Sequence, residues 1–320
     1  MKRTFLFLLA LSALSMCVQA QLLNNRSAGS GASSAVFNVT SNPDVPSSIK
    51  FGGETVNLDR IDLAERLDRE LTSVIYGQTS TLLCFKRANR YFPMLERVLK
   101  AQNVPLDFLY LACTESTMDP LAYSPAHAAG LWQLLAGTAR EYGLEVNDEV
   151  DERYDPERST QAACRYLKAA YSKYGNWPTV AASYNAGMGK ISGELGKQGV
   201  STSLDLYLVQ ETSRYFFRIL AFKLIMENPK RYGYRLHANQ LYQPVAYTTV
   251  TVTGSVDSWV TWAKQKGITY AQLREANPWI RSTKLTNKSG KTYNVRVPQQ
   301  NELYRSKRKF TAYNPAWVVK

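Results

Sequence analysis

Glu115 is the residue whose setting in this sequence best suits acid–base chemistry. It lies in the last turn of an apolar helix that Pro105 is expected to open and that ends before Asp119-Pro120. Apolar neighbours disfavour the charged carboxylate, and the negative end of the helix dipole acts in the same direction, so both raise its pKa. A carboxyl group that stays protonated near neutral pH can protonate a leaving glycosidic oxygen. On this pattern alone, a solvated glutamate at a helix end is the alternative.

Other reactive side chains form weaker patterns. Cys113 lies two residues before the glutamate, but a thiol nucleophile needs a base, and His127 and His237 are not spaced as in a catalytic triad. Three cysteines follow the first twenty residues: Cys84, Cys113 and Cys164. They form no C-x-x-C pair and no Cys/His cluster. We therefore expect buried free thiols, no metal and no cofactor.

Helices must position Glu115, because apolar residues recur at helical spacing through most of the chain. The helix of Glu115 is preceded by helical stretches from about residue 57 to 75 and from about 81 to 100. Further helices are predicted at residues 137–142, 156–174, 178–186 and 206–227. No convincing alternation of strand residues occurs before about residue 240. The fold class predicted for the catalytic part is therefore mainly α.

A series of short blocks in fixed order carries a family resemblance. They read Glu115-Ser116-Thr117-Met118-Asp119-Pro120, Tyr123-Ser124-Pro125, Ala129-Gly130-Leu131-Trp132-Gln133 and Ser183-Tyr184-Asn185-Ala186-Gly187. Their order and gaps resemble the soluble lytic transglycosylase (SLT) family, and most of all its membrane-bound lytic transglycosylase D branch. The similarity extends from about Ile49 to Tyr234 and includes residues 151–156 and 211–216. It implies a lysozyme-like helical catalytic domain.

The same resemblance implies the roles of individual residues. Glu115 would be the sole catalytic acid and base, and Tyr215 would place its hydroxyl against that carboxyl group. Substrate contacts are implied for Ser116, Ser124, Gln133, Tyr184, Asn185 and Tyr215. Each has a plainer alternative: Ser116 can cap local backbone, and the two tyrosines can be packing residues.

The reaction implied by the resemblance needs one carboxyl group. Glu115 would cleave the β-1,4 bond between MurNAc and GlcNAc of peptidoglycan without water and leave a 1,6-anhydro-MurNAc end. A two-carboxylate glycosidase would need a partner, and the nearby Asp119 precedes Pro120 in a turn where a structural role is expected. A hydrolysing muramidase and a peptidoglycan-binding protein without turnover are the alternative functions.

A second, smaller domain follows at residues 246–298. A β-branched run at 247–253, two short apolar-periodic stretches and a strand at 293–297 give the order β-α-α-β. This order resembles a LysM carbohydrate-binding domain, although Gly254-Ser255-Val256 stands where that family usually has Gly-Asp-Thr. Glycan binding and a purely structural role are both open for this module.

The composition and the amino terminus indicate partner and compartment. Lys and Arg number 39 against 26 Asp and Glu, a net charge of +13 that indicates an anionic partner. Lys2 and Arg3 precede an apolar run and the small residues before Ala20, the pattern of a secretory signal peptide. Export argues against a nucleic-acid partner and favours peptidoglycan in the periplasm or cell envelope. Leu14-Ser15-Met16-Cys17 loosely resembles a lipobox, so lipid anchoring at Cys17 is an alternative.

These features predict the division of the chain. We expect a signal peptide at 1–20, a flexible leader at 21–48, and a helical segment at 49–100 packed on a lysozyme-like domain at 101–235. A small α+β LysM-like module at 246–298 and a basic tail at 299–320 complete the chain. No predicted segment is long and apolar enough to span a membrane.

Overall fold

The computed structural model describes residues 44–319, so the predicted signal peptide, residues 21–43 of the leader and Cys17 lie outside the described residues. The elements of the larger part are β1 Ser48–Phe51, β2 Glu54–Asn57, α1 Ile61–Tyr76, α2 Gln78–Ala101, α3 Leu109–Ser116, α4 Ala136–Glu141, α5 Pro156–Tyr174, α6 Trp177–Ala186, α7 Met188–Gln198 and α8 Gln210–Glu227. Those of the smaller part are β3 Tyr247–Val252, α9 Trp259–Gln265, α10 Tyr270–Ala276 and β4 Tyr293–Pro298. The predicted class, mainly α with a small βααβ module, is confirmed.

Helix α5 shows why several bounds could be predicted from the sequence. The Asp155 carboxylate accepts hydrogen bonds from the backbone N–H groups of Glu157 and Arg158, at 2.9 and 3.0 Å, and Pro156 occupies the first turn. Gly175 ends the helix with φ +68°. The bounds match the prediction of 156–174. By contrast, α8 begins at Gln210 instead of residue 206, and the glycine-containing α7 was not predicted.

Helix α8 forms the centre of the larger part. It packs against α1, α3 and α6, and its buried side chains lie on nearly all of its faces. Tyr215 is 2% exposed, and Phe216 and Ile219 are likewise buried. Because α3 carries Glu115 and α8 carries Tyr215, this packing decides which side chains meet at the candidate site.

A β-hairpin opens the described chain, where the sequence predicted no strand and a helical segment beginning at residue 49. Strands β1 and β2 pair antiparallel around Gly52 and Gly53, which have φ of +61° and +85°. The backbone N–H of Gly52 donates to the Asp107 carboxylate at 2.7 Å. A Cβ at Gly52 would lie 2.3 Å from the Trp177 ring, so only glycine fits.

The smaller part is a two-stranded sheet covered by two helices. Strands β3 and β4 pair antiparallel from Tyr247 opposite Pro298 to Val252 opposite Tyr293. Its core contains buried aromatic and branched side chains of α9, α10, β4 and the connecting segments: Trp259, Ala263, Ile268, Leu273, Trp279, Ile280, Leu285, Tyr293 and Val295. Val150 of the larger part also belongs to this core.

The basic tail packs back onto the larger part. Trp317 is 2% exposed, donates through Nε1 to the Met226 carbonyl at 2.7 Å, and meets the rings of Phe85 and Phe92 edge to face. The Tyr313 N–H donates to the Asn89 side chain at 2.7 Å. The tail is therefore part of the fold. Over residues 44–319, no helix has the length and apolar character to cross a bilayer.

Candidate active site

Glu115 lies in the last turn of α3, as predicted, and its side chain is partly buried. The helix ends immediately after it: Thr117 and Met118 have φ of +49° and +59°, and the Thr117 N–H donates to the Cys113 carbonyl at 2.9 Å. Met118 is fully buried. The abrupt end leaves the Glu115 carboxyl group at the helix terminus with protein on most sides.

Burial raises the pKa of Glu115 to about 7. The Tyr215 hydroxyl, which donates to Glu115 Oε1, and the charge of Arg218 act in the opposite direction, whereas the charge of Glu211 raises the pKa further. The sequence prediction that an apolar setting raises this pKa thus has a structural basis. A carboxyl group with a pKa near 7 can both give and accept a proton at neutral pH.

Two tyrosines adjoin the carboxyl group from different helices. Tyr215 of α8 donates directly to Glu115, from a position one hundred residues further along the chain. The negative charge of Glu115 also acts on Tyr184 of α6, whose hydroxyl donates to the Trp132 carbonyl at 2.8 Å. Burial and that charge raise the pKa of both phenols, so both remain protonated donors.

An ion-pair network behind Tyr215 was missed by sequence reasoning. Glu70 of α1 is fully buried and binds Arg214 and Arg218, with Arg218 Nε at 2.9 Å from Oε2. Arg218 also pairs with the exposed Glu211 at 3.1 Å. The network holds the Arg218 charge where it lowers the pKa of Glu115. Two arginines four residues apart on either side of Tyr215 were the available sequence signal.

The predicted substrate residues Ser124 and Gln133 belong to one ordered segment. The Ser124 hydroxyl accepts from the Ala128 N–H at 3.1 Å, which leaves its own proton available to a ligand. Gln133 donates through Nε2 to the carbonyls of Ala122 and Gly130, at 3.1 and 2.9 Å. Its side-chain carbonyl accepts no hydrogen bond within residues 44–319 and can therefore accept one from a ligand.

Ser116 joins this segment to the helix of Glu115. Its hydroxyl lies within hydrogen-bond distance of the Ala112 and Leu131 carbonyls, at 3.2 and 2.9 Å, and the residue is 8% exposed. This geometry gives Ser116 the backbone role that the sequence left as its alternative. Asn185 lies in the last turn of α6, and in the described part of the chain its side-chain amide has no hydrogen-bond partner. Substrate contact by these residues stays a prediction.

The other reactive side chains considered in the sequence are either paired with other residues or buried. Asp119 pairs with Arg87 at 2.7 Å and accepts from the Leu121 N–H, in agreement with a structural role. Cys84, Cys113 and Cys164 are buried free thiols, as predicted, and burial raises the pKa of Cys113. Among the described residues no group of three His, Cys, Asp or Glu could hold a metal ion.

Two family models match parts of this chain. A family model for the transglycosylase SLT domain matches residues 94–203, and one for the soluble lytic transglycosylase C-terminal LysM-like domain matches residues 248–301. Residues 94–203 therefore match an SLT domain and residues 248–301 match a LysM-like C-terminal domain, as the sequence predicted. The helical architecture agrees with the predicted lysozyme-like fold.

Named relatives narrow the comparison. The chain is 33% identical over 220 residues to membrane-bound lytic murein transglycosylase D of Escherichia coli K12, which covers 67% of this chain and 48% of the relative. It is 26% identical over 142 residues to the soluble lytic murein transglycosylase of the same strain, covering 41% of this chain and 22% of the relative. The chain thus spans about half the length of the first relative and less than a quarter of the length of the second.

Similar solved structures include the 70 kDa soluble lytic transglycosylase of Escherichia coli. It superimposes with a TM-score of 0.38 at 21% identity and covers 49% of this chain and 29% of that one. The complex of the 70 kDa soluble lytic transglycosylase with bulgecin A also superimposes with a TM-score of 0.38, at 20% identity, over 50% of this chain and 30% of that one.

Proposed function

We propose that this protein is a lytic murein transglycosylase that cleaves the MurNAc–GlcNAc β-1,4 bond of peptidoglycan with Glu115 as its single acid and base. The observation that carries the proposal is the Glu115 carboxyl group, whose pKa burial raises to about 7 and which a buried tyrosine hydroxyl contacts. The matched SLT domain and the names of the relatives, both murein transglycosylases, support the same substrate.

In the proposed reaction, protonated Glu115 gives its proton to the glycosidic oxygen as the bond from that oxygen to C1 of MurNAc breaks. The MurNAc acetamido group stabilises the positive charge that develops at C1. The Glu115 carboxylate then takes the proton of the MurNAc C6 hydroxyl, whose oxygen bonds to C1 and closes the 1,6-anhydro ring. This transfer leaves Glu115 protonated again, and no water is consumed. Tyr215 stabilises the carboxylate form between the two proton transfers.

The ion pairs around the site favour this one-carboxylate mechanism over a hydrolysing muramidase. A second carboxylate would have to activate water or attack C1. Asp119 is paired with Arg87. The charge of Glu211 raises the pKa of Glu115, but Glu211 is paired with Arg218 and is largely exposed. Neither carboxylate is therefore positioned to activate water or to attack C1.

Digestion of purified peptidoglycan followed by mass analysis tests the proposal. We expect fragments with anhydro ends, one water lighter than the reducing ends that a muramidase leaves. Glu115→Gln should fold and bind glycan but release no fragments, because an amide cannot transfer the proton. Glu211→Gln is the matched control and should retain cleavage. Reducing ends, or loss of activity in both variants, would contradict the proposed mechanism.

The proposed site of action is the cell envelope. The sequence pattern of residues 1–20 predicts export, and the net charge of +13 favours a polymer that carries carboxylates. The intact mass of the exported protein distinguishes cleavage after Ala20 from a lipid on Cys17. A mass that matches the uncleaved chain would contradict both.

A further inference from the structure

The LysM-like module is joined to the larger part by main-chain hydrogen bonds. The Asp151 N–H donates to the Trp279 carbonyl at 2.9 Å, and the Arg281 N–H donates to the Glu149 carbonyl at 2.8 Å. Val150, between them, pairs with Ile280 as an isolated β-bridge and is 1% exposed within the core of the module. The 145–157 segment of the larger part therefore completes the module.

Side chains extend this contact in both directions along the segment. The Tyr293 hydroxyl donates to Glu145 at 2.9 Å, and Thr286 donates through its N–H and its hydroxyl to the Glu149 carboxylate, at 2.8 Å each. At the far end, Arg296 of β4 pairs with the Asp155 carboxylate at 3.0 Å. Asp155 is 4% exposed, so this pair is largely shielded from water.

The 145–157 segment also contacts residues 122–134, which include Ser124 and Gln133, two of the residues predicted to bind substrate. Arg153 pairs with Asp151 through Nη2 at 2.7 Å, and both residues are buried. Arg153 Nη1 donates to the carbonyls of His127 and Leu134, at 2.8 and 3.2 Å, both within the 122–134 segment. A Cβ on Gly130 would lie 1.9 Å from the Arg153 carbonyl, so the two backbones are in direct contact.

We propose that the LysM-like module is a positioning element of the candidate active site. The module contacts the 145–157 segment through Arg296 and Glu149 and thereby fixes the position of that segment. Arg153, which lies in the segment, in turn fixes the 122–134 segment that contains Ser124 and Gln133. The proposal rests on the proposed function only in taking those two residues to contact the glycan. Arg153 and Arg296 are positioning residues, because they act through that segment.

This arrangement differs from that of a module tethered by a flexible linker to bind glycan separately. The main-chain hydrogen bonds and the shared core residue Val150 would have to break before the module could move by itself. A constraint of this kind affects how well the site is preorganised for the glycan. Tyr215, Arg218 and Glu211, the groups that shift the pKa of Glu115, all lie outside the 122–134 segment.

Binding and turnover of the full chain test the proposal. Binding of purified glycan strands is measured in a Glu115→Gln background, so this readout does not depend on cleavage. We expect Arg296→Ala and Glu149→Ala each to raise the Kd about five- to tenfold, in the range of ordinary coupling between sites. In the active protein the same changes should raise KM similarly, with kcat changed less than about twofold and the pH dependence unaltered.

A matched control comes from the module itself. Arg274 contacts Tyr270 inside the module, and among the described residues it makes no hydrogen bond, ion pair or ring contact with the larger part. Arg274→Ala should leave Kd and KM unchanged. Arg153→Lys lies wholly outside the module; it keeps the charge opposite Asp151 but cannot reach both carbonyls, and it should raise the Kd like Arg296→Ala.

Thermal unfolding confirms that each variant is folded before binding is measured. Unchanged Kd in folded Arg296→Ala and Arg153→Lys would overturn the proposal, and so would an equal loss in Arg274→Ala. If the active protein yields no anhydro ends while the Kd values change as expected, the positioning role holds and the proposed function fails.

Discussion

Tyr215→Phe is expected to move the alkaline limit of activity to higher pH. The Tyr215 hydroxyl donates to Glu115 and stabilises its carboxylate, so it lowers a pKa that burial raises to about 7. Phenylalanine keeps the buried ring and removes only this donor. Glu115 then stays protonated to higher pH, and cleavage that begins with its proton persists further into the alkaline range.

The magnitude follows from the nature of the hydrogen bond. A bond to a charged group contributes about 1.5–3 kcal/mol net, and each pKa unit corresponds to about 1.4 kcal/mol. The alkaline limb of kcat/KM should therefore shift upward by about one to two pH units.

The assay is the initial rate of anhydro-end release from about pH 4 to pH 10, at substrate concentrations well below KM. Tyr166→Phe is the control, because that buried hydroxyl donates to the Ser183 carbonyl at 2.6 Å and does not contact Glu115. Titration of the Glu115 carboxyl by NMR gives the same shift without turnover. A limb that stays in place or moves to lower pH in Tyr215→Phe would refute the reasoning, as would an equal shift in Tyr166→Phe.

Two further predictions concern stability. The pKa of Glu115 is raised from 4.5 to about 7 in the folded state, so the wild-type protein should lose up to about 3 kcal/mol of unfolding free energy between these pH values, and Glu115→Gln should not. Urea unfolding at about pH 4.5 and 7.5 measures the difference, and parallel curves for the two proteins would contradict it. Gly130→Ala should cost about 3 kcal/mol or more, because Gly130 has φ +78° and its Cβ would overlap the Arg153 carbonyl. Gly137→Ala, in α4 with open space around the new Cβ, should instead gain up to about 1 kcal/mol, and similar melting temperatures for the two variants would count against the argument.

Local signals explain which elements the sequence predicted. The Asp155 cap, Pro156 and Gly175 bound α5 in the sequence as they do in the structure. The hairpin of β1 and β2 was missed because its strands have four residues each, too few to show alternation, although Gly52-Gly53 was a turn signal. Helix α7 was not predicted because its glycines have low helix propensity. Tertiary contact helps to stabilise it, since Ile191 is fully buried.

The tail could not be assigned from its own residues. Trp317 is a single buried side chain in a segment without periodicity, and it is held by Met226, Phe85 and Phe92. Each of these partners lies about ninety residues or more earlier in the chain. A pattern that covers one element carries no information about such partners.

The sequence by itself determined the helical class, the order of the two domains, the resemblance to the SLT family and the carboxyl group on which the proposed chemistry depends. Helix periodicity, caps and block spacing are local properties, and Glu115 at the end of an apolar helix is visible from them. Only the tertiary structure decided that Tyr215 donates to Glu115, that Glu70 holds Arg218 nearby, and that the module docks through Arg296. These contacts join residues about a hundred or more positions apart, so they depend on how whole helices pack against one another.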